Sequence, residues 1–330
     1  MNRLCAISAA LLLVTAAPAF AAGLEPSPPL AGQASEVAAD VELTLTADWQ
    51  VGDSYRIQKT RELREIRRGA EQPLRSSHSI SEVRVAEKTD SGYILVSTLL
   101  QADLSNYATP EQGGADTVTA FTRMFEGKSI ELVTNEAGFP IALRNAAGVV
   151  ETMRAAMDMV VDSAGKTEEE REKVRAMMAQ VMTPETIEAL AMKDAMIFYG
   201  LLGGDYSGGE AVRTQTSMMF PLTQTPLDGE LYVLLRRVDR EKGLAYIATQ
   251  SLPDGDQLKQ ATMLWMTRIL EAQGQQAPED MQVPPVTIQD SFEYAYDLER
   301  NLPRGITFER YFAMGDANRR VDLETFRLID

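Results

Sequence analysis

The sequence is poor in the residues that most often carry catalysis and metal binding. It has one cysteine, Cys5, and one histidine, His78, in 330 residues. A Ser-His-acid triad would need His78 as its base, and the chain has no Gly-x-Ser-x-Gly motif to present a serine. Zinc sites of the usual kinds need several histidine or cysteine ligands. The sequence therefore predicts no catalytic residue, no metal ligand and no cofactor.

One catalytic alternative needs neither histidine nor cysteine. Two carboxyl groups facing one cleft suffice for glycoside hydrolysis and related chemistry. With 48 acidic residues in the chain, such a pair cannot be recognised from spacing alone. A carboxylate-dependent hydrolase therefore stays open as an alternative to a non-catalytic protein.

The first 21 residues have the three parts of a cleavable secretory signal. Arg3 supplies a positive charge, residues 4–17 are almost entirely apolar, and Ala19-Phe20-Ala21 places small residues where a signal peptidase reads them. The apolar run of about 14 residues is shorter than the roughly 20 that span a bilayer. We therefore expect export to the periplasm or the extracellular space, cleavage near Ala21, and no transmembrane segment in the mature chain.

Charge and composition limit the classes of partner that the protein can bind and indicate the kind of organism and compartment it comes from. The chain carries 48 acidic and 32 basic residues, a net charge of −16. Such a surface repels phosphate backbones, so we expect no nucleic-acid partner. Removal of Cys5 with the signal leaves no thiol for a disulfide, and the sequence contains no Asn-x-Ser/Thr site. These absences indicate a bacterial envelope protein.

Composition divides the chain into five segments. Residues 22–42 are rich in proline and alanine and have no apolar period, which predicts a disordered linker. The other segments are a signal peptide at 1–21, a β-rich half at 43–143, a helical insert at 144–202 and a second β-rich half at 203–330. The predicted fold class is α+β, with mainly antiparallel β-sheets in two related β-rich halves and a helical segment between them.

The two β-rich halves share a pattern. Arg84-Val85 precedes the turn at Gly92, and Arg237-Val238 precedes the turn at Gly243. Each turn is followed by a strand, a helix and two more strands in the predicted order. This pattern predicts a duplicated unit.

Local signals mark the helices of the insert. Thr167 and Glu170 have the spacing of a capping box, which predicts a helix start at 167. Thr183-Pro184 predicts another start, because proline at the first helical position loses no hydrogen bond.

Methionine is the one unusual constituent of the insert. Six methionines form i, i+4 pairs on three successive predicted helices and are our candidate ligand-lining residues. They are Met153 with Met157, Met178 with Met182, and Met192 with Met196. Flexible thioethers suit surfaces that adapt to varied apolar ligands, and they also bind Cu(I). Three interpretations of these methionines therefore stay open: an apolar-ligand groove, an ordinary hydrophobic core and a copper site.

The chain resembles bacterial envelope proteins of the LolA-like half-barrel type, which carry lipids. The resemblance lies in its expected export, its acidic character and its strand-helix-strand order. The resemblance implies a non-catalytic envelope or periplasmic protein that binds an apolar small molecule such as a lipid. A protein-interaction or structural module of the cell envelope, with an envelope protein as its partner, is the alternative of another class.

Overall fold

The computed structural model describes residues 24–104, 106, 114–163, 167–220, 225–272, 276, 278 and 281–329. The predicted signal peptide therefore lies outside the described residues. Among the described helices, none is both long enough and apolar enough to cross a bilayer.

The described chain forms fourteen strands and five helices. The strands are β1 Glu42–Thr44, β2 Ser54–Arg67, β3 Ala70–Glu71, β4 Arg75–Thr89, β5 Gly92–Asp103, β6 Ser129–Thr134, β7 Pro140–Leu143, β8 Asp205–Ser207, β9 Val212–Met219, β10 Pro226–Asp239, β11 Leu244–Pro253, β12 Val286–Asp297, β13 Leu302–Met314 and β14 Asn318–Ile329. The helices are α1 Gly114–Phe125, α2 Ala146–Ser163, α3 Glu168–Val181, α4 Pro184–Phe198 and α5 Gly255–Ala272.

One large antiparallel sheet organises the molecule. Its strands lie in the order β7-β6-β5-β4-β2-β14-β13-β12-β11-β10-β9, with β3 paired to β2 and a separate small sheet of β1 and β8. The α+β class, the mainly antiparallel sheet and the helical segment between two β-rich regions are confirmed. The order strand, strand, helix, strand, strand occurs twice, as β4-β5-α1-β6-β7 and as β10-β11-α5-β12-β13.

The two β-rich regions meet in the middle of this sheet. The last strand, β14, pairs with the first long strand, β2, over eleven residues from Arg319 opposite Ile66 to Ile329 opposite Arg56. Strand pairing thus continues without a break from β7 to β9.

The helices cover one face of the sheet, which we call the inner face. Phe198 and Tyr199 at the end of α4 pack with Val83, Tyr294 and Phe326 in the main hydrophobic cluster. Helix α5 packs in a second cluster, where Leu258 contacts the group around Phe220 and Ile288. Apolar side chains on alternate strand residues supply this face, as the two-residue period of a strand requires.

The first described residues, 24–30, lie on the opposite, outer face, whereas Val37 packs against the main cluster on the inner face. The sequence predicts a disordered linker at residues 22–42, whereas the structure packs the described part of it, from residue 24, against the sheet. Leu30 is 3% exposed and contacts Leu234, and the Gln250 amide bonds the backbone at Leu30 and Pro28. The Ser27 hydroxyl donates to Glu309 at 2.6 Å. Polar outer-face side chains satisfy the backbone of this segment, a contribution that its own sequence does not reveal.

The predicted helix starts of the insert are confirmed. Thr167 N–H donates to Glu170 at 3.0 Å and Glu170 N–H donates to the Thr167 hydroxyl at 3.4 Å, the reciprocal bonds of a capping box. Thr183 caps α4, accepting from Thr186 N–H, with Pro184 at its first position.

Candidate ligand-binding cavity

A cavity of about 520 Å³ lies between the inner face of the sheet and helices α2 and α4. Its wall is formed by β2, β4, β5, β6 and β14, and the end of α1 contributes Phe125. Because the lining comes from elements far apart in sequence, the cavity exists only in the folded chain.

The sheet side of the cavity follows the alternation of its strands. Ile57 and Lys59 on β2, and Ser79, Ser81 and Val83 on β4, all line the cavity. Residues two apart on a strand point to the same face, so each strand presents one such row.

The helix side is one stripe of α4 and the first turns of α2. On α4 the lining residues are Leu190, Ala191, Asp194, Ala195, Phe198 and Tyr199 just beyond its end. On α2 they are Gly148, Val149, Thr152 and Met153. The i, i+1, i+4, i+5 spacing is that of residues on one helix face.

Polarity changes along the cavity in the strand direction. At one end, Lys59 pairs in register with Ser79, and Ser81 pairs with Leu99 beside Lys128. We call this the polar end. Two residues further along β4, Val83 pairs with Ser97 on β5.

The opposite end of the cavity is apolar, and we call it the deep end. It is lined by Leu132, Ala195, Phe198 and Tyr199, and three of these are at most 2% exposed. The Tyr199 hydroxyl bonds the Tyr55 hydroxyl at 2.5 Å, so its polar atom has a protein partner. Burial raises the pKa of Tyr199 well above its ordinary value, and the hydroxyl stays neutral.

A buried ionic network lies beside the polar end. Lys59 Nζ is 2.6 Å from Asp194 Oδ1 on α4 and 2.9 Å from Glu324 Oε2 on β14. Lys193 Nζ, also on α4, is 2.5 Å from the other Glu324 oxygen. The Glu324 side chain is fully buried, and its pair with Lys193 together with the Lys59–Asp194 pair ties α4 to the middle of the sheet.

The network sets the charge states of its members. Burial alone would raise the pKa of Glu324, but the charges of Lys59, Lys193 and Arg61 outweigh it and hold that pKa well below its ordinary value. Burial alone would lower the pKa of Lys59, but Asp194 and Glu324 hold it above its ordinary value. Both groups are therefore charged at neutral pH.

The structure distributes the six candidate methionines over different surroundings. Met153 lines the cavity. Met157, further along α2, and Met182, just after α3, are half-buried, and Met192 packs against the main cluster while Met196 is 39% exposed. The side chain of Met178 lies outside the described part of the structure. Contact of these methionines with a ligand stays a prediction.

Periodicity explains why α4 presents other residues to the cavity. Ala191 and Ala195 line it, and Met192 and Met196 each follow by one residue, about 100° further around the helix. Sequence reasoning missed the lining residues Leu190, Ala191 and Ala195, because small and aliphatic residues at helical spacing are ordinary core signals.

His78 lies in β4, half-buried and paired in register with Thr60 on one side and Asp103 on the other. It is not among the described residues that line the cavity.

Comparison with known proteins adds one distant likeness. No protein-family model matches the sequence, and no curated protein matches it. A solved structure titled "Lipid-protein interactions in lipovitellin" is similar with a TM-score of 0.42 and 8% identity, over 86% of this chain and 26% of that one. The chain thus spans about a quarter of that chain's length.

Proposed function

We propose that this protein binds an apolar or amphiphilic small molecule, such as a lipid or an acyl chain, in the cavity between the sheet and helices α2 and α4. The observation that carries the proposal is the cavity of about 520 Å³ with its apolar deep end. Pockets for small molecules usually measure about 300–1,000 Å³ and are mostly apolar with a few polar groups. The half-buried Met153 supplies an adaptable contact in its wall.

The same cavity favours binding over hydrolysis. Among its lining residues in the described part of the chain, Asp194 is the one carboxylate, and it is bound to Lys59. A carboxylate-dependent hydrolase needs two acids facing its substrate. We therefore propose a non-catalytic role.

The proposal includes export and a place in the bacterial envelope, in the manner of LolA-like lipid carriers. The charge at Arg3, the apolar run at 4–17 and the small residues at Ala19 and Ala21 support it. N-terminal sequencing of protein recovered from the periplasm of its host tests this directly. A retained Met1 on that protein would contradict cleavage.

Native and denaturing mass spectrometry of protein purified gently from its host tests ligand binding. We expect a mass excess that is lost on denaturation and matches a lipid. A bare mass under both conditions would contradict the proposal and turn the search to protein partners.

A pair of variants locates the ligand. In Ala191→Phe, the added ring enters the cavity, and we expect the bound lipid to fall about tenfold or more. Ala189→Phe places the same ring on the exposed side of α4 and should retain the ligand. Equal lipid content in both variants would place the ligand elsewhere.

A further inference from the structure

Three hydrogen-bond donors at the polar end have no partner among the described residues. They are the hydroxyls of Ser79 and Ser81 and the ammonium of Lys128, three residues that line the cavity, of which Lys128 is exposed. Within the described structure, none of these groups makes a hydrogen bond or an ion pair with another residue. Ser81 and Lys128 are held near each other, because Ser81 pairs with Leu99 and Leu99 N–H donates to the Lys128 carbonyl at 3.2 Å. At this end, the cavity therefore offers hydrogen-bond donors to an oxygen-rich group of a ligand.

The charges around these donors favour an anion. Lys59 is already matched by Asp194 and Glu324. Lys128 is the remaining cation among the described lining residues, and within the described structure it forms no ion pair. This unpaired cation lies in a protein whose net charge is −16. A negative head group gains from Lys128, whereas a cationic one is repelled.

The described residues of the deep end offer no free hydrogen-bond donor to a polar group of a ligand. Leu132 and Phe198 are each 1% exposed, and the hydroxyl of Tyr199 is bonded to Tyr55. A polar group placed there would lose its water without gaining a partner, which is costly. A hydrocarbon chain loses nothing there and gains by leaving water.

We infer that the ligand is an amphiphile with an anionic oxygen head group, a carboxylate or a phosphate, bound with its head beside Lys128, Ser79 and Ser81 and its chain directed toward Tyr199. The inference rests on the proposed function and adds the head-group chemistry and the direction of binding.

Displacement of the fluorescent dye N-phenylnaphthylamine from the full mature chain tests the head group. The competitors are palmitate, cetyl alcohol and cetyltrimethylammonium, which share a long saturated chain and differ in head charge. We expect palmitate to bind about fivefold more tightly than the alcohol, since one net hydrogen bond or ion pair changes affinity by about that factor. The cationic amphiphile should bind most weakly.

Variants assign the preference to the polar end. Lys128→Gln should weaken the binding of palmitate about fivefold and so abolish its advantage over cetyl alcohol. Lys259→Gln removes an exposed lysine from α5 and should keep the advantage. An advantage that survives in Lys128→Gln, or is missing in the wild type while all three amphiphiles bind, overturns the head-group inference alone. Failure of every competitor to displace the dye overturns the proposed function.

Tryptophan quenching tests the direction. The chain has two tryptophans, and Trp265→Phe leaves Trp49, whose ring lies 5.7 Å from that of Tyr199. Palmitate brominated at its terminal carbon should quench Trp49 more strongly than palmitate brominated beside the carboxylate. The reverse order would overturn the inferred direction.

Discussion

At the scale of single residues, Glu324 connects the sheet to α4, one of the helices that cover the cavity. Its fully buried carboxylate faces Lys59 on β2, Lys193 on α4 and Arg61 at 3.5 Å. Breaking a buried ion pair by removing one partner is strongly destabilising, because the other charge is left without compensation.

Glu324→Gln tests the contribution of this network to stability. The amide keeps the shape of the side chain and leaves the cations of the network in excess, so we expect a loss of about 3 kcal/mol in the free energy of unfolding. Urea unfolding measures it. Glu25→Gln is the matched control, since Glu25 is 72% exposed and its pair with Arg319 lies at the surface. Equal unfolding curves for wild type and Glu324→Gln would show that the network makes no net contribution.

The same carboxylate predicts a dependence on pH. The folded pKa of Glu324 is held below its unfolded value of about 4.3, so the stability it contributes is complete above that pH. It is lost as the pH falls from about 4.3 toward the folded pKa. We therefore expect the difference in unfolding free energy between wild type and Glu324→Gln to be smaller at about pH 3 than at pH 7. If this difference in unfolding free energy grew as the pH fell, the predicted direction of the pH dependence would be wrong.

At the scale of elements, the turn between β4 and β5 depends on a close backbone approach. Gly92 has a φ of +149°, and a Cβ there would lie 2.2 Å from the carbonyl oxygen of Thr134. The neighbouring Tyr93 N–H donates to the Thr134 hydroxyl at 2.9 Å. The absent side chain therefore lets the hairpin dock against the end of β6.

Gly92→Ala should destabilise the protein by about 2 kcal/mol or more, through backbone strain and displacement of Thr134. Thermal and urea unfolding measure the loss. Gly255→Ala, at the start of α5, adds a methyl group with no neighbour within 4 Å and should leave stability nearly unchanged. A Gly92→Ala variant as stable as the wild type would show that the turn relaxes freely.

At the scale of the whole molecule, the sheet depends on the pairing of its last strand with its first long strand. Strand β14 lies between β13 and β2, so it holds the two β-rich regions together. This pairing joins residues more than two hundred positions apart, and long-range pairing of this kind is costly to form and slow.

Truncation after Asp316 should therefore abolish cooperative unfolding and the near-UV circular dichroism signal, since it removes β14 and exposes two unpaired strands. Deletion of residues 22–26 leaves Ser27 and its bond to Glu309 in place and should preserve both signals. Retained cooperativity in the truncated chain would show that the two β-rich regions fold independently.

Local signals let the sequence by itself determine several helix starts and turns. The capping box at Thr167 and Glu170, the Thr183-Pro184 start and the turn at Gly243 depend on neighbours in the chain, and the structure confirms each of them. Only the tertiary structure decided the pairing of β14 with β2, the packing of residues 24–42 and the cavity. In each case the energy comes from contacts between distant segments, such as Lys59 with Glu324, and these leave no periodic signal in the sequence.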